Sequence, residues 1–364
     1  MTPSGSPTSV TVGHTVDWEF AATVGAKLVR PAPPVTEYTR RQAMDQLAAS
    51  ARTAEQPVRD VTGLNEGAAI TEARIIDRSE WVRAATESMR VMTGGKPGGG
   101  SGGRITGRIT GTQTGAVLAF VSSGILGQYD PFARRAGAER PGDDAGGELL
   151  LVYPNVIAVE RQLRVSPADF RLWVCLHEVT HRVQFRANPW LTEHMSQALA
   201  VITDDSGQDL AAVIGRLADF VRTKRSGSQA PEPNSDGMVG FLRAIQSEPQ
   251  RKALDQLLVL GTLLEGHADH VMDAVGPKVV PSVATIRRRF DERRQRKQPP
   301  LHRILRTLLG FDAKLSQYTR GKAFVDHVVG AVGMDRFNVV WTNAETLPLP
   351  TEVDEPQRWI DRVL

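Results

Sequence analysis

The chain has 364 residues, 41% hydrophobic and 23% charged, with 44 Lys and Arg against 41 Asp and Glu for a formal charge of +3. Such a length can bury one large or two modest cores, while the single cysteine excludes an internal disulfide framework and fits a reducing compartment. No apolar run approaches the roughly 20 residues that span a bilayer, residues 1–12 lack a basic and apolar leader, and the charge balance gives no argument for nucleic acid, so a cytoplasmic protein is expected.

Residues 1–15 are polar and rich in Gly, Pro and Ser, and read as a flexible tail. An N-terminal helical part over 16–93 follows, broken at residues 31–34, near Pro57, and around 74–77, where the pattern admits a short strand. Residues 94–148 form a connecting segment. Its Gly-rich start, 94–103, resembles a phosphate cradle but lacks the Gly-Lys-Ser/Thr ending, and reads as a loop. The repeated Arg-Ile-Thr-Gly of 104–113 fits either more loop or an irregular β segment. Residues 116–126, apolar and small, predict a buried helix that ends at Tyr129-Asp130-Pro131-Phe132. Residues 149–159 carry the clearest strand signal, with Pro154 restricting it to an edge or a break.

Ser166-Pro167-Ala168-Asp169 combines a capping residue, Pro at the first helical position and an acid at the third. It predicts a helix over 167–187, ended by Asn188-Pro189. Helices are expected again at 191–203, 208–224, 238–275, 282–297, 300–309 and 312–332, with a polar loop at 225–237. The fold class is therefore mainly α with a minor β element, residues 149–364 forming a helical domain that packs as one unit with 16–93.

Inside the 167–187 helix stands His177-Glu178-Val179-Thr180-His181. Histidines four apart share a helix face and can converge on one metal ion, and Glu178 beside them can act as general base on a metal-held water, which points to a zinc site. Catalytic zinc usually takes three protein ligands, so a third is sought downstream. Glu265, opening Glu265-Gly266-His267-Ala268-Asp269-His270, is the best placed; His267 and His270 compete for the role. Asp269, one turn beyond Glu265, suits a hydrogen bond from the other ring N–H of His177 or His181. Cys175 reads as a small buried apolar group. Tyr318 and His327 are candidates to steady an oxyanion or leaving group.

HExxH with a distal Glu in an ExxxD setting resembles the glutamate-zincin metallopeptidases. Leu126 to Pro131, the run 170–176, Gln184-Phe185, Pro189-Trp190-Leu191 and Glu265 to Asp269 are similar to an actinobacterial zinc-dependent metalloprotease family described as hydrolases and, in one branch, as coenzyme F420 biosynthesis-associated proteins. The resemblance runs from about residue 15 to the end. It implies a zincin-like fold, zinc held by His177, His181 and Glu265, water activated by Glu178, and a peptide or other amide as substrate. It also implies an edge strand beside the zinc helix to align the substrate backbone, a role for which residues 150–153 stand nearest, though a core hairpin edge fits them equally. The interval from His181 to Glu265 is longer than in many glutamate zincins, which calls for an inserted helical segment. Two rivals stand beside an enzyme. One is a non-catalytic zincin-fold scaffold near F420 metabolism; the other is a basic module built on Arg287-Arg288-Arg289, Arg293-Arg294 and Arg296-Lys297, whose simpler reading is a solvated helix face.

Overall fold

A computed structural model describes residues 16–95, 104–133, 147–203, 247–295 and 311–364. The expected tail, most of the Gly-rich loop, the helices at 208–224 and 300–309 and the loop at 225–237 lie outside these residues. Within them, helices dominate: α1 (Trp18–Leu28), α2 (Glu37–Thr62), α3 (Arg78–Met92), α4 (Arg104–Val121), α5 (Tyr153–Leu163), α6 (Pro167–Ala187), α7 (Trp190–Thr203), α8 (Glu248–Val279), α9 (Val283–Gln295), α10 (Phe311–Val332), α11 (Met334–Phe337) and α12 (Pro356–Val363). Three short strands, β1 (Arg74–Ile76), β2 (Gly127–Asp130) and β3 (Glu148–Val152), make one sheet in the order β1-β3-β2. The mainly helical architecture with a minor β element is thus as the sequence leads one to expect.

Four local expectations are corrected. The 149–159 strand signal splits: β3 stops at Val152 and α5 begins at Tyr153, because Pro154 has no N–H to lose in the first turn of a helix. β3 is also the central strand, parallel to β1 (Ile75 opposite Leu151) and antiparallel to β2 (Gly127 opposite Leu151), so the edge beside the helices belongs to β2. That edge occupies residues read as the end of a helix.

The third correction is α4, which is helical where 104–113 left loop and β open. Its glycines recur every four residues, so they line one face on which α1 lies unusually close. A Cβ on Gly111 would sit 2.7 Å from the Asp17 carbonyl oxygen, and one on Gly115 2.5 Å from that of Ala21. Tertiary contact here outweighs the poor helix propensity of Gly. Lastly, α2 passes through Pro57 unbroken. The carbonyl deprived of its partner is that of exposed Thr53, which water can satisfy, while Ala54, Glu55, Val58 and Arg59 are buried around it.

β3 divides the core. Leu149 and Leu151 face the main cluster, with α2 (Leu47, Ala54), α6 (Val179, Val183), α8 (Leu263, Val271), α10 (Phe324, Val328) and the C-terminal Trp359, whereas Leu150 and Val152 face a smaller one with Ile76, Trp81 and Leu118. α2 lies along α6 and is tied to it by an ion pair that is almost wholly buried: Arg182 on α6 meets Glu55, which also holds Arg59 of its own helix at 2.6 Å. Removing one member of such a set would strand a charge in the interior, costing about 3–5 kcal/mol. The helix that carries the histidine motif is therefore anchored on its buried side, leaving the opposite side to face a cleft.

Candidate metal centre

Helix α6 starts where its cap predicts. The Ser166 hydroxyl accepts from the Asp169 N–H at 3.4 Å, and the Asp169 carboxylate in turn accepts from the Ser282 N–H at 3.1 Å, joining the start of α6 to the α8–α9 turn. Cys175 and Val179 point into the core. The Cys175 thiol lies 3.7 Å from the Leu47 carbonyl oxygen, and burial pushes its pKa up, so it behaves as the apolar group expected. His177 and His181 emerge on the other side with their rings edge to face, centroids 4.8 Å apart.

Glu265 meets them from α8. Its Oε2 is 3.3 Å from His177 Nε2 and 3.7 Å from His181 Nε2, the two Nε2 atoms are 3.3 Å apart, and the three groups offer ligand atoms within 4.8 Å of one another. Glu265 Oε2 is nonetheless a buried oxygen with no well-formed hydrogen bond. Burial would raise the Glu265 carboxyl, but the two imidazoles against it outweigh that and hold it well below the usual carboxylate range. For His177 burial works downward, and Glu265, with Glu178 and Asp269 behind it, carries the imidazole up to about 9. A carboxylate and two imidazoles gathered with an orphaned oxygen at the centre are a donor set that a cation completes, and the histidine-rich, oxygen-poor composition suits zinc rather than calcium or magnesium. The residues fit a metal.

Next to Glu265, a glycine packs α8 against α10. A Cβ on Gly266 would fall 2.1 Å from the Gly321 backbone carbon, and one on Gly321 2.1 Å from the Thr262 carbonyl oxygen. α8 and α10 therefore touch backbone to backbone beside Glu265. Of the other residues in the Glu265–His270 segment, Ala268 is fully buried. His267 points away from the cluster into the core, stacked on Phe337 at 5.5 Å, and burial brings its pKa down to about 3. His270 Nδ1 is 2.7 Å from Asp326 on α10. Neither joins the cluster.

Asp269 is close enough to His177 for its charge to raise that imidazole, and its carboxylate stands 3.7 Å from Arg287. The Nδ1 of His181 is taken instead by Gln184, at 2.9 Å. Asp273, one turn beyond Asp269, is paired with Arg287 at 2.7 Å and Lys322 at 3.0 Å. Within the basic run, Arg288 and Arg289 lie 3.9 and 3.7 Å from Glu292, and Arg293 covers the Phe290 ring; the Arg294 side chain, Arg296 and Lys297 lie outside the described residues. His327 is exposed on α10 and does not line the cleft, and the Tyr318 side chain lies outside the described residues.

A cleft of about 630 Å³ opens over the cluster. His177, Glu178, His181 and Glu265 line it, together with β2 and the side chains of Trp81 and Met89. Glu178 is buried against this strand. A Cβ on Gly127 would lie 2.7 Å from Glu178 Cγ and 2.9 Å from its carboxyl carbon, so only glycine lets the strand pass so near the side chain beside the metal cluster. The next residues fix the strand: the Trp81 indole N–H donates to Gln128 Oε1 at 2.9 Å, and Asp130 accepts from Ser88 at 2.8 Å and from the Phe132 N–H at 3.0 Å. Gly127 and Gln184 are the site residues that pattern reading passes over. Both sit in segments that carry the family resemblance, which is the signal that could have marked them.

The helical fold and the His177, His181 and Glu265 cluster fit a metallohydrolase, and the sequence comparison agrees. Zincin-like metallopeptidases match the chain over residues 16–360, and the chain belongs to that family. A crystal structure from Chloroflexus aurantiacus, described as a candidate hydrolase with a novel fold, is similar to it at 28% identity with a TM-score of 0.64, covering 95% of this chain and 98% of that one. No curated protein shows significant similarity. Among the described residues no helix is long and apolar enough to cross a membrane.

Proposed function

We propose that the protein is a zinc metallopeptidase that cleaves an amide bond with Glu178 as general base. The observation that carries this is the convergence of His177, His181 and the orphaned Glu265 oxygen at a cleft that the edge strand β2 also lines. Zinc held by these three residues would supply Lewis-acid chemistry, acidifying water and polarising a carbonyl. Glu178, next to His177 and confined by Gly127, holds its carboxylate at the metal side of the cleft, where it can take a proton from water and return it to a leaving amine. β2 replaces β3 as the strand to which a substrate backbone can add, since β2 pairs on one side only and its residues line the cleft. Asp269 is proposed to orient His177. Apolar side chains such as Trp81, Met89, Trp173 and Phe290 line the same cleft and favour apolar substrate side chains.

The test is digestion of a mixed peptide library by zinc-loaded protein beside Glu178→Gln, with cleavage read by mass spectrometry. Cleavage that falls about 10²–10⁴-fold in Glu178→Gln at equal zinc content is the expected result. A zinc-loaded protein that cuts no peptide, ester or small amide would move the assignment to a non-catalytic scaffold.

A further inference from the structure

Two ring nitrogens of His181 face different surroundings, and the one turned away from the cluster meets Gln184. Gln184 is fully buried and bridges the two ligand helices. From α6 its amide nitrogen reaches the Leu264 carbonyl oxygen at 3.0 Å and His267 Nδ1 at 2.9 Å, both on α8, while its Oε1 lies 2.9 Å from His181 Nδ1. Leu264 directly precedes the third cluster residue, Glu265.

The orientation of that amide is forced. A carbonyl oxygen can only accept, so the side of Gln184 facing Leu264 must be the NH2 group; the flipped amide would place two acceptors 3.0 Å apart in a site closed to water. The second amide hydrogen then meets His267 Nδ1, which must accept, leaving the proton of that neutral, stacked ring on Nε2. Oε1 is consequently turned to His181, and an oxygen acceptor at 2.9 Å requires a proton on Nδ1. With its proton there, His181 keeps the Nε2 lone pair for the cluster.

We infer that Gln184 is a positioning residue for the metal site: its amide selects the Nδ1–H tautomer of His181 and pins α8 in the register that brings Glu265 to the two imidazoles. His267, which resembles a ligand in the sequence, serves as the far acceptor that fixes the amide. The consequence for affinity rests on the metal reading above, whereas the tautomer does not.

The first readout is therefore long-range ¹H–¹⁵N correlation of the imidazoles in the unsubstituted, metal-free protein near neutral pH. Nδ1–H on His181 and Nε2–H on His267 are expected; an Nε2–H tautomer for His181 would overturn the inference whether or not variants fold. The second is zinc affinity by chelator competition. Gln184→Met is expected to weaken zinc about 10–100-fold, the usual cost of losing an outer partner of a ligand, and His267→Phe, which leaves the His181 and Leu264 contacts in place, by less. A folded Gln184→Met protein that binds zinc as tightly as the parent would also overturn it. If the parent itself takes up no zinc, the metal reading fails, and the tautomer result still decides the role of the amide.

Discussion

Two helices of this protein each present a pair of histidines beside acidic groups, and only one pair is equipped to hold a metal. On α6, His177 and His181 turn their Nε2 atoms to each other and to the unsatisfied Glu265 oxygen. On α8, His267 is enclosed by aromatic rings and Gln184, and His270 is committed to Asp326. The residue types are the same, so the difference lies in partners: a site forms where the donor atoms converge without having already been satisfied. α8 contributes one carboxylate to the cluster, while His267 meets Gln184 of the facing ligand helix and His270 pairs outside the cluster.

The sharpest way to break this contrast is to exchange the two kinds of histidine. His181→Leu should weaken zinc by more than about 100-fold, beyond the cost of losing an outer partner, while His270→Leu should leave affinity unchanged, as chelator competition will show. Equal effects would mean that the α8 pair also binds. Next in size is Gly127→Ala. The added methyl falls within 3 Å of the Glu178 side chain, so turnover should drop about 10–100-fold through a misplaced base while zinc content stays at the parent level, a separation that peptide kinetics and metal analysis together can read.

A smaller effect concerns protons. Because His177 in the metal-free protein is lifted to about 9, its charged form paired with Glu265 stabilises the fold fully below about pH 6.5, the usual value for a free imidazole, and the contribution is lost as pH rises through about 9. Glu265 works in the other direction, its stabilisation lost as pH falls below the ordinary carboxylate range. The thermal stability of chelator-treated protein should thus fall between pH 6.5 and 9. Zinc-loaded protein, in which His177 is a neutral ligand, should lack that slope, and a slope that persists with zinc bound would place the metal elsewhere.

Much of this site can be read along the chain. The Ser166 cap, the apolar run from Phe170 and the HExxH spacing together place His177, Glu178 and His181 on one helix, because capping and helical period are local properties. Glu265 is legible as one candidate among three. Choosing it over His267 and His270 needs their partners Gln184 and Asp326, which lie on segments distant in the chain. The same holds for the sheet. β2 is too short to carry a period, and its place opposite Glu178 comes from pairing with β3. In α4, the glycine repeat that suggested loop is a helix face, since propensity acts locally and the close packing of α1 decides the outcome.

The most direct test of the central claim is the metal content of protein purified without chelator or polyhistidine tag, measured by elemental mass spectrometry alongside Glu265→Ala and His267→Phe. About one zinc per chain is expected in the parent, with little in Glu265→Ala and much of it kept in His267→Phe. No metal in the parent, and none taken up on adding zinc, would contradict the assignment of His177, His181 and Glu265 as a metal centre.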